Sequence, residues 1–286
     1  MHLAVQLVIA VACFSAFGVV LKVAAVRGQS PTPTAAVNYV LAATISAALW
    51  LGGSGESCSV APMLLGIAAG LCFLAGFYVN YLAVERAGLA GTQIAVGLSM
   101  VVPIALSALL WRERPTLPQV LGGCLAMVSL VLLALAQQQR SRASAKTGSA
   151  TRILTLVGLF LVQGLVMVFA KLVEELGFGG HRWAYLTALF ASAGIGACII
   201  WGKRKEQVHV LGVGLGAAFG IANVVGTYVL LSLVSILPAT VVFPVTTVGP
   251  MLVNVLLGAL AWKEELGAAG MAGVLTAIPA VIALTR

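Results

Sequence analysis

Two lysines stand out because each closes an apolar run: Lys22 after Phe17-Gly18-Val19-Val20-Leu21, and Lys171 after Val166-Met167-Val168-Phe169-Ala170. At the centre of a bilayer one lysine costs about 2.5–3.5 kcal/mol, so a lysine held there needs a partner or a task. Ser15, Gly18 and Lys22 fall on one helical stripe, and Gly164, Met167 and Lys171 on another. Ammonium groups so placed attract a carboxylate or a phosphate. Both also lie near the end of their run, where the side chain can snorkel to the interface. The sequence leaves the two roles open.

Uncharged polar residues form the second candidate set. Asn223 and Thr227 are one turn apart; Phe243, Thr246, Thr247, Pro250 and Asn254 recur at three- and four-residue steps, as do Thr92, Ser99 and Pro103. Phe77 and Tyr81 share a face, with Tyr78 and Asn80 beside them. In lipid such groups either face an aqueous cavity or bind neighbouring helices together. The candidate ligand-binding residues are therefore Lys22, Lys171, Tyr78, Tyr81, Asn223, Thr227, Thr246 and Asn254. Glu113 and Glu264, each following a Trp and a basic residue, are expected to pair locally at helix ends.

Other chemistry is missing. The chain has no Asp, and none of its eight Glu lies in mid-run, so a buried carboxylate proton relay has no carrier. His2, His181 and His209 sit at the chain start or at span ends, and the five cysteines contain no Cys-x-x-Cys pair. No Walker A sequence is present. Neither a nucleophile–base pair nor a metal-ligand set emerges. The expectation is no enzyme, no cofactor and no metal, with the cysteines as small core residues.

The elements that must hold these residues follow from composition. Of 286 residues, 61% are hydrophobic and 8% charged, with a net charge of +8. A soluble domain carries roughly a quarter charged residues, so a soluble globular protein is excluded. About 20 apolar residues cross one hydrocarbon core. Apolar runs place spans at 3–25, 33–51, 61–83, 91–110 and 117–136, then at 153–173, 183–201, 208–232, 239–261 and 268–285. The first is long for a signal peptide and has no basic start, so a retained helix is expected. The fold class is all-α polytopic membrane protein.

The two sets repeat. Leu65-Gly66, Gly70 and Phe73 return as Leu211-Gly212, Gly216 and Phe219; Trp111-Arg112-Glu113 returns as Trp262-Lys263-Glu264, with Gly122 and Gly273 nine residues beyond. This divides the chain into a five-helix repeat over 1–137, a basic linker over 138–152 and a second five-helix repeat over 153–286. An odd number of crossings forces the second copy to enter the membrane inverted. Transporters use this arrangement to make two states of similar energy.

Taken together, these residues resemble the ten-helix, EamA-like branch of the drug/metabolite transporter superfamily. The carriers are the Lys-terminated first helix of each half, Tyr81-Leu82-Ala83, and the order Pro103–Glu113–Gly122 repeated as Pro250–Glu264–Gly273. One departure is that Pro103 precedes its Glu by 10 residues and Pro250 by 14, which makes Ser99 the counterpart of Pro250. The resemblance implies a secondary transporter, often an exporter, of small organic solutes such as amino acids. The alternatives are a flippase for a lipid-linked sugar or polyprenyl phosphate, and a non-transporting membrane assembly subunit. Expected partners are a small-molecule substrate and the lipid bilayer of the cell membrane. Nucleic acid is not expected, and a homodimer is left open.

Charge sets the expected orientation. With Lys22 and Lys171 set aside, ten Lys and Arg fall on odd-numbered connections and four on the even connections and the tail. The positive-inside rule then puts the odd connections in the cytoplasm and both termini outside. Gly66-x-x-x-Gly70 and Gly212-x-x-x-Gly216-x-x-x-Gly220 are expected to allow close helix contact.

Overall fold

Long apolar segments can satisfy every backbone N–H and C=O inside one helix, and in lipid they must. The computed structural model describes residues 3–27, 30–52, 55–56, 59–138, 149–207, 209–261 and 267–284. Among them the regular elements are all helical. These are α1 (Leu3–Val26), α2 (Pro31–Leu51), α3 (Val60–Leu98), α4 (Val101–Leu110), α5 (Leu117–Gln138) and α6 (Ser149–Glu175). After a single 3-10 turn come α7 (Arg182–Arg204), α8 (Val210–Val234), α9 (Ala239–Ala261) and α10 (Ala268–Leu284). Nine segments among the described residues are long and apolar enough to cross a membrane; α10 is a shorter apolar helix. Large apolar side chains such as Leu51, Leu109, Leu154, Val210 and Leu260 are exposed, a surface suited to hydrocarbon rather than water.

Local chemistry sets the ends. Pro31 starts α2, where its missing N–H costs nothing. Gly177, at φ +76°, closes α6: its own N–H reaches Glu174 O and the Phe178 N–H reaches Val173 O at 2.8 Å, a Schellman pairing. Most observed helices lie within two or three residues of the apolar runs. The connection expected at 84–90 is the exception, because α3 continues without interruption to Leu98.

The break comes later, at Ser99–Met100, and Pro103 explains it. Proline has no N–H to offer the carbonyl four residues back, and its ring crowds that carbonyl. The Ser99 carbonyl instead takes the Val102 N–H at 3.1 Å, and Met100 N–H reaches Gly97 O, both three-residue steps. Ser99 Oγ donates to Val96 O. The fourth span is thus interrupted near its middle, whereas α9 runs on through Pro244 and Pro250.

The chain divides into two compact units, and each draws on both sequence halves. The first comprises Met1–Leu74 and Phe169–Ser235. In it α1 packs on α8, and α2 packs on α7 and α8. Small residues make this possible, as expected. A Cβ at Gly66 would run into Tyr185 O, and one at Gly220 would come within 2.8 Å of Asn38 O. The second unit comprises Ala75–Val168 and Ile236–Arg286. There α5 packs on α10 and α9, and α4 packs on α9. Ser129 Oγ donates to Gly273 O at 2.7 Å, tying α5 to α10. Of the cysteines expected in the core, Cys124 and Cys198 are exposed and Cys13 and Cys72 half-buried. Cys58 lies outside the described residues.

Candidate functional site

In the first unit, α8 carries the polar stripe expected of it and α2 answers it. Asn223 is buried, and its Nδ2 donates to Asn38 Oδ1 on α2 at 3.3 Å. Buried Thr227 donates to Asn223 Oδ1 at 3.5 Å. Asn38 is fully buried, and its Nδ2 has no hydrogen-bond partner. Sequence reasoning missed Asn38, although Thr34 and Ser46 recur with it on the buried face of α2. The usable signal was Gly216 and Gly220, which press α8 against the backbone of α2 at this level.

Lys171 does not snorkel. Its side chain is only 5% exposed, and Nζ pairs with Glu175 Oε1 one turn on at 2.8 Å. Pairing of this kind offsets the desolvation of a buried ammonium. Next to it, Glu174 Oε1 accepts from Arg182 Nε at 2.8 Å, and Arg182 Nη1 reaches Ser232 Oγ at 3.4 Å. Trp183 stacks on Tyr228 with centroids 4.3 Å apart and planes 15° from parallel. The Glu56 carboxylate caps α7 by accepting the Trp183 and Ala184 N–H groups at 3.0–3.2 Å, satisfying donors that every helix start leaves open. The side chain of Lys22 lies outside the described residues.

The second unit holds the remaining candidates. Tyr78 is half-buried and meets Phe77 edge-on at 5.4 Å, whereas Tyr81 is 43% exposed on α3. Thr246 is satisfied by its own helix, donating to Val242 O at 2.8 Å. Its neighbour Thr247 makes no such bond: Thr247 Oγ1, Asn254 Oδ1 and Ser107 Oγ are buried atoms without a partner. Glu113 reaches further than the expected local pairing, its carboxylate accepting the Ala239 N–H at the start of α9 at 3.0 Å. Gln119 Oε1 adds a second tie, accepting from Thr116 N and Thr240 Oγ1. Glu264, its repeat counterpart, lies outside the described residues.

The two units therefore offer different chemistry. The first holds ion pairs and a hydrogen-bonded carboxamide pair; both hold buried polar atoms without a partner, Thr32 Oγ1 and Thr187 Oγ1 in the first and Thr247 Oγ1 and Asn254 Oδ1 in the second. Among the described residues no group of three or more His, Cys, Asp or Glu is placed to hold a metal ion.

A helical fold of membrane-crossing length with polar side chains buried in it defines a multi-pass membrane protein. Residues 2–135 match the EamA-like transporter family, the family that the sequence resembles, so this part of the chain is similar to membrane transporters of small molecules. An uncharacterized protein of Haemophilus influenzae is 25% identical over 297 residues, spanning 98% of this chain and 97% of that protein. One crystal structure is similar with a TM-score of 0.78, covering 99% of this chain and 96% of that one at 12% identity. At that identity the likeness speaks for the fold alone.

Proposed function

We propose that the chain is a secondary transporter of the cell membrane that exports a small organic metabolite, an amino acid or a close relative, by alternating access. Its ten helices act as two inverted five-helix repeats. One observation carries the reading: α2 packs on α7, α4 on α9 and α5 on α10. Three helices thus meet the helix five places on, contacts of the kind that a two-fold axis between five-helix repeats produces. Such an axis gives two conformations of similar energy, open to opposite sides. Polar side chains within the helices, Thr247 and Asn254 among them, offer hydrogen bonds to a polar solute. The scarcity of buried carboxylates favours neutral, zwitterionic or anionic solutes over multivalent cations.

Purified protein in proteoliposomes tests this. Preloaded vesicles exchanging a radiolabelled amino acid against the unlabelled compound, above empty vesicles, is the expected result. Absence of flux across a broad amino-acid and metabolite panel overturns it. Scrambling of a labelled polyprenyl phosphate in place of solute flux moves the reading to a flippase. In this proposal the odd connections are cytoplasmic, and a reporter fused at Arg286 that is active only in the cytoplasm reverses that orientation.

A further inference from the structure

In the first unit a groove of about 420 Å³ runs between α2 and α7, walled by Val40 and Thr44 on one side and by Ala191, Ile195 and Ile199 on the other. Gly194 lies at its floor, so near α2 that a Cβ there would touch the backbone of Tyr39 and Val40 at 3.4 Å. No charged side chain lines it, and the Thr44 hydroxyl is already donated to Val40 O at 2.9 Å. Val40, Ile195 and Ile199 are exposed.

The groove ends in charge. Ala191, Ile195, Ile199 and Lys203 follow at four-residue steps, so one row on α7 passes from the groove to an ammonium group within a turn. Arg204 and Lys205 complete this basic end, and all three residues are exposed. Lys205 closes the helix at φ +50°, its N–H on Trp201 O at 2.9 Å. The start of α2 stands at the same level, because the Glu206 carboxylate accepts the Ser30 hydroxyl. Glu206 also lies 3.6 Å from Arg204 Nη1, and its backbone oxygen accepts the Trp201 indole N–H at 3.0 Å. Among the described residues no acidic group pairs with Lys203 or Lys205.

An apolar groove one helical turn from unpaired ammonium groups suits a ligand with two ends. A soluble anion would leave the groove empty, and a neutral lipid would leave the lysines unanswered. A second copy packed here in the same membrane orientation would bring its own basic turn against this one, a like-charge contact that disfavours it. We infer that the α2–α7 groove seats an acyl chain of an anionic phospholipid whose phosphate rests on Lys203 and Lys205. Basic pockets beside membrane helices hold anionic head groups in this way, and the aliphatic stems of the lysines extend the apolar wall toward the head group. The connection after α7 is odd-numbered, so in the proposed orientation the lipid belongs to the cytoplasmic leaflet, where anionic lipids concentrate. The site does not depend on whether the chain transports a solute.

Thermal unfolding of the purified full-length protein in neutral detergent tests this, because a bound ligand raises stability by mass action. Dioleoylphosphatidylglycerol is titrated against dioleoylphosphatidylcholine, with inorganic phosphate as the charge without a chain. A saturable rise with phosphatidylglycerol alone is the expected result. Lys203→Gln with Lys205→Gln should weaken its apparent affinity about tenfold or more. Arg112→Gln with Arg114→Gln removes the same charge from another connection and should not. Ala191→Phe fills the groove, leaves the charges in place and should also weaken the affinity; Thr44→Leu is the second groove variant should Ala191→Phe fail to fold. An equal response to both lipids, or to phosphate without a chain, overturns the site. So does an affinity unchanged in the lysine or the groove variants, or an equal loss from the Arg112 and Arg114 pair. A dimer in lipid-free detergent that Ala191→Phe converts to monomer assigns the groove to a second copy and overturns the lipid site too. Absence of solute flux with the lipid response intact would overturn the transport reading alone.

Discussion

The polar stripes of α8 and α9 have similar residues at similar steps, yet they are used in opposite ways. On α8, Asn223 donates to Asn38, Thr227 donates to Asn223, and Ser232 accepts from Arg182. On α9, Thr247 and Asn254 keep buried oxygens without partners. The difference lies in the neighbours. Gly216 and Gly220 bring α8 so close to α2 that a carboxamide on one helix reaches the other, while α9 has prolines at 244 and 250 and faces a helix broken at Ser99–Met100. Paired side chains hold α8 to α2, and Thr247 Oγ1 and Asn254 Oδ1 make no such tie on α9.

The heaviest blow to the filled side is Gly220→Leu. A side chain there meets the Asn38 backbone, and overpacking of this kind costs ~3 kcal/mol. Thermal unfolding in detergent should fall by several degrees, and the same change at Gly123, where nothing lies within 4 Å, should do little.

Glu175→Gln comes next, with a loss of about 2 kcal/mol after allowing for the partial exposure of Glu175. It leaves Lys171 buried without its carboxylate. Lys171→Met combined with Glu175→Gln should recover most of that loss, and a double variant no better than Glu175→Gln alone would show that Lys171 does not depend on the pair.

Asn223→Leu should cost about 1 kcal/mol, the scale of an interhelical hydrogen bond in a membrane. Asn38→Leu made together with it should cost less than the sum of the two singles, read as a double-mutant cycle on unfolding. Additive losses would mean that the two carboxamides are not coupled, and the contrast between the stripes would fail.

The smallest effect separates two adjacent residues. Thr246→Val removes a hydroxyl already bonded to its own helix and should lower stability by less than about 0.5 kcal/mol, whereas Thr247→Val removes a buried hydroxyl without a partner and should leave stability level or raise it. Equal effects on stability from Thr246→Val and Thr247→Val would remove the distinction between the two neighbours.

Much of this was legible from residues in order. Apolar runs of bilayer length mark the helices because lipid leaves a segment no other way to satisfy its backbone. The recurring Lys, Gly, Trp and Glu positions return in the same order, which is the ground on which a repeat is proposed. The fourth span was read less well. A Gly near 88 after Glu85-Arg86 looked like a connection, yet the helix continues and breaks at Ser99, where Pro103 withdraws a donor four residues ahead. Asn38 recurs with Thr34 and Ser46 on one face of α2, a stripe that names no partner helix, and Thr246 and Thr247 look alike in a stripe.

The sequence by itself determined that the chain lives in lipid, where its helices run, and which side chains are too polar to be there by accident. Hydropathy and spacing are local, additive properties and need no neighbour to be read. Only the tertiary structure decided which polar groups are spent and which remain available. That depends on which helix stands opposite and how near glycine lets it come. Glu175 reaching Lys171, Glu56 reaching the start of α7 and Glu113 reaching the start of α9 are facts of packing, as is the silence around Thr247 and Asn254.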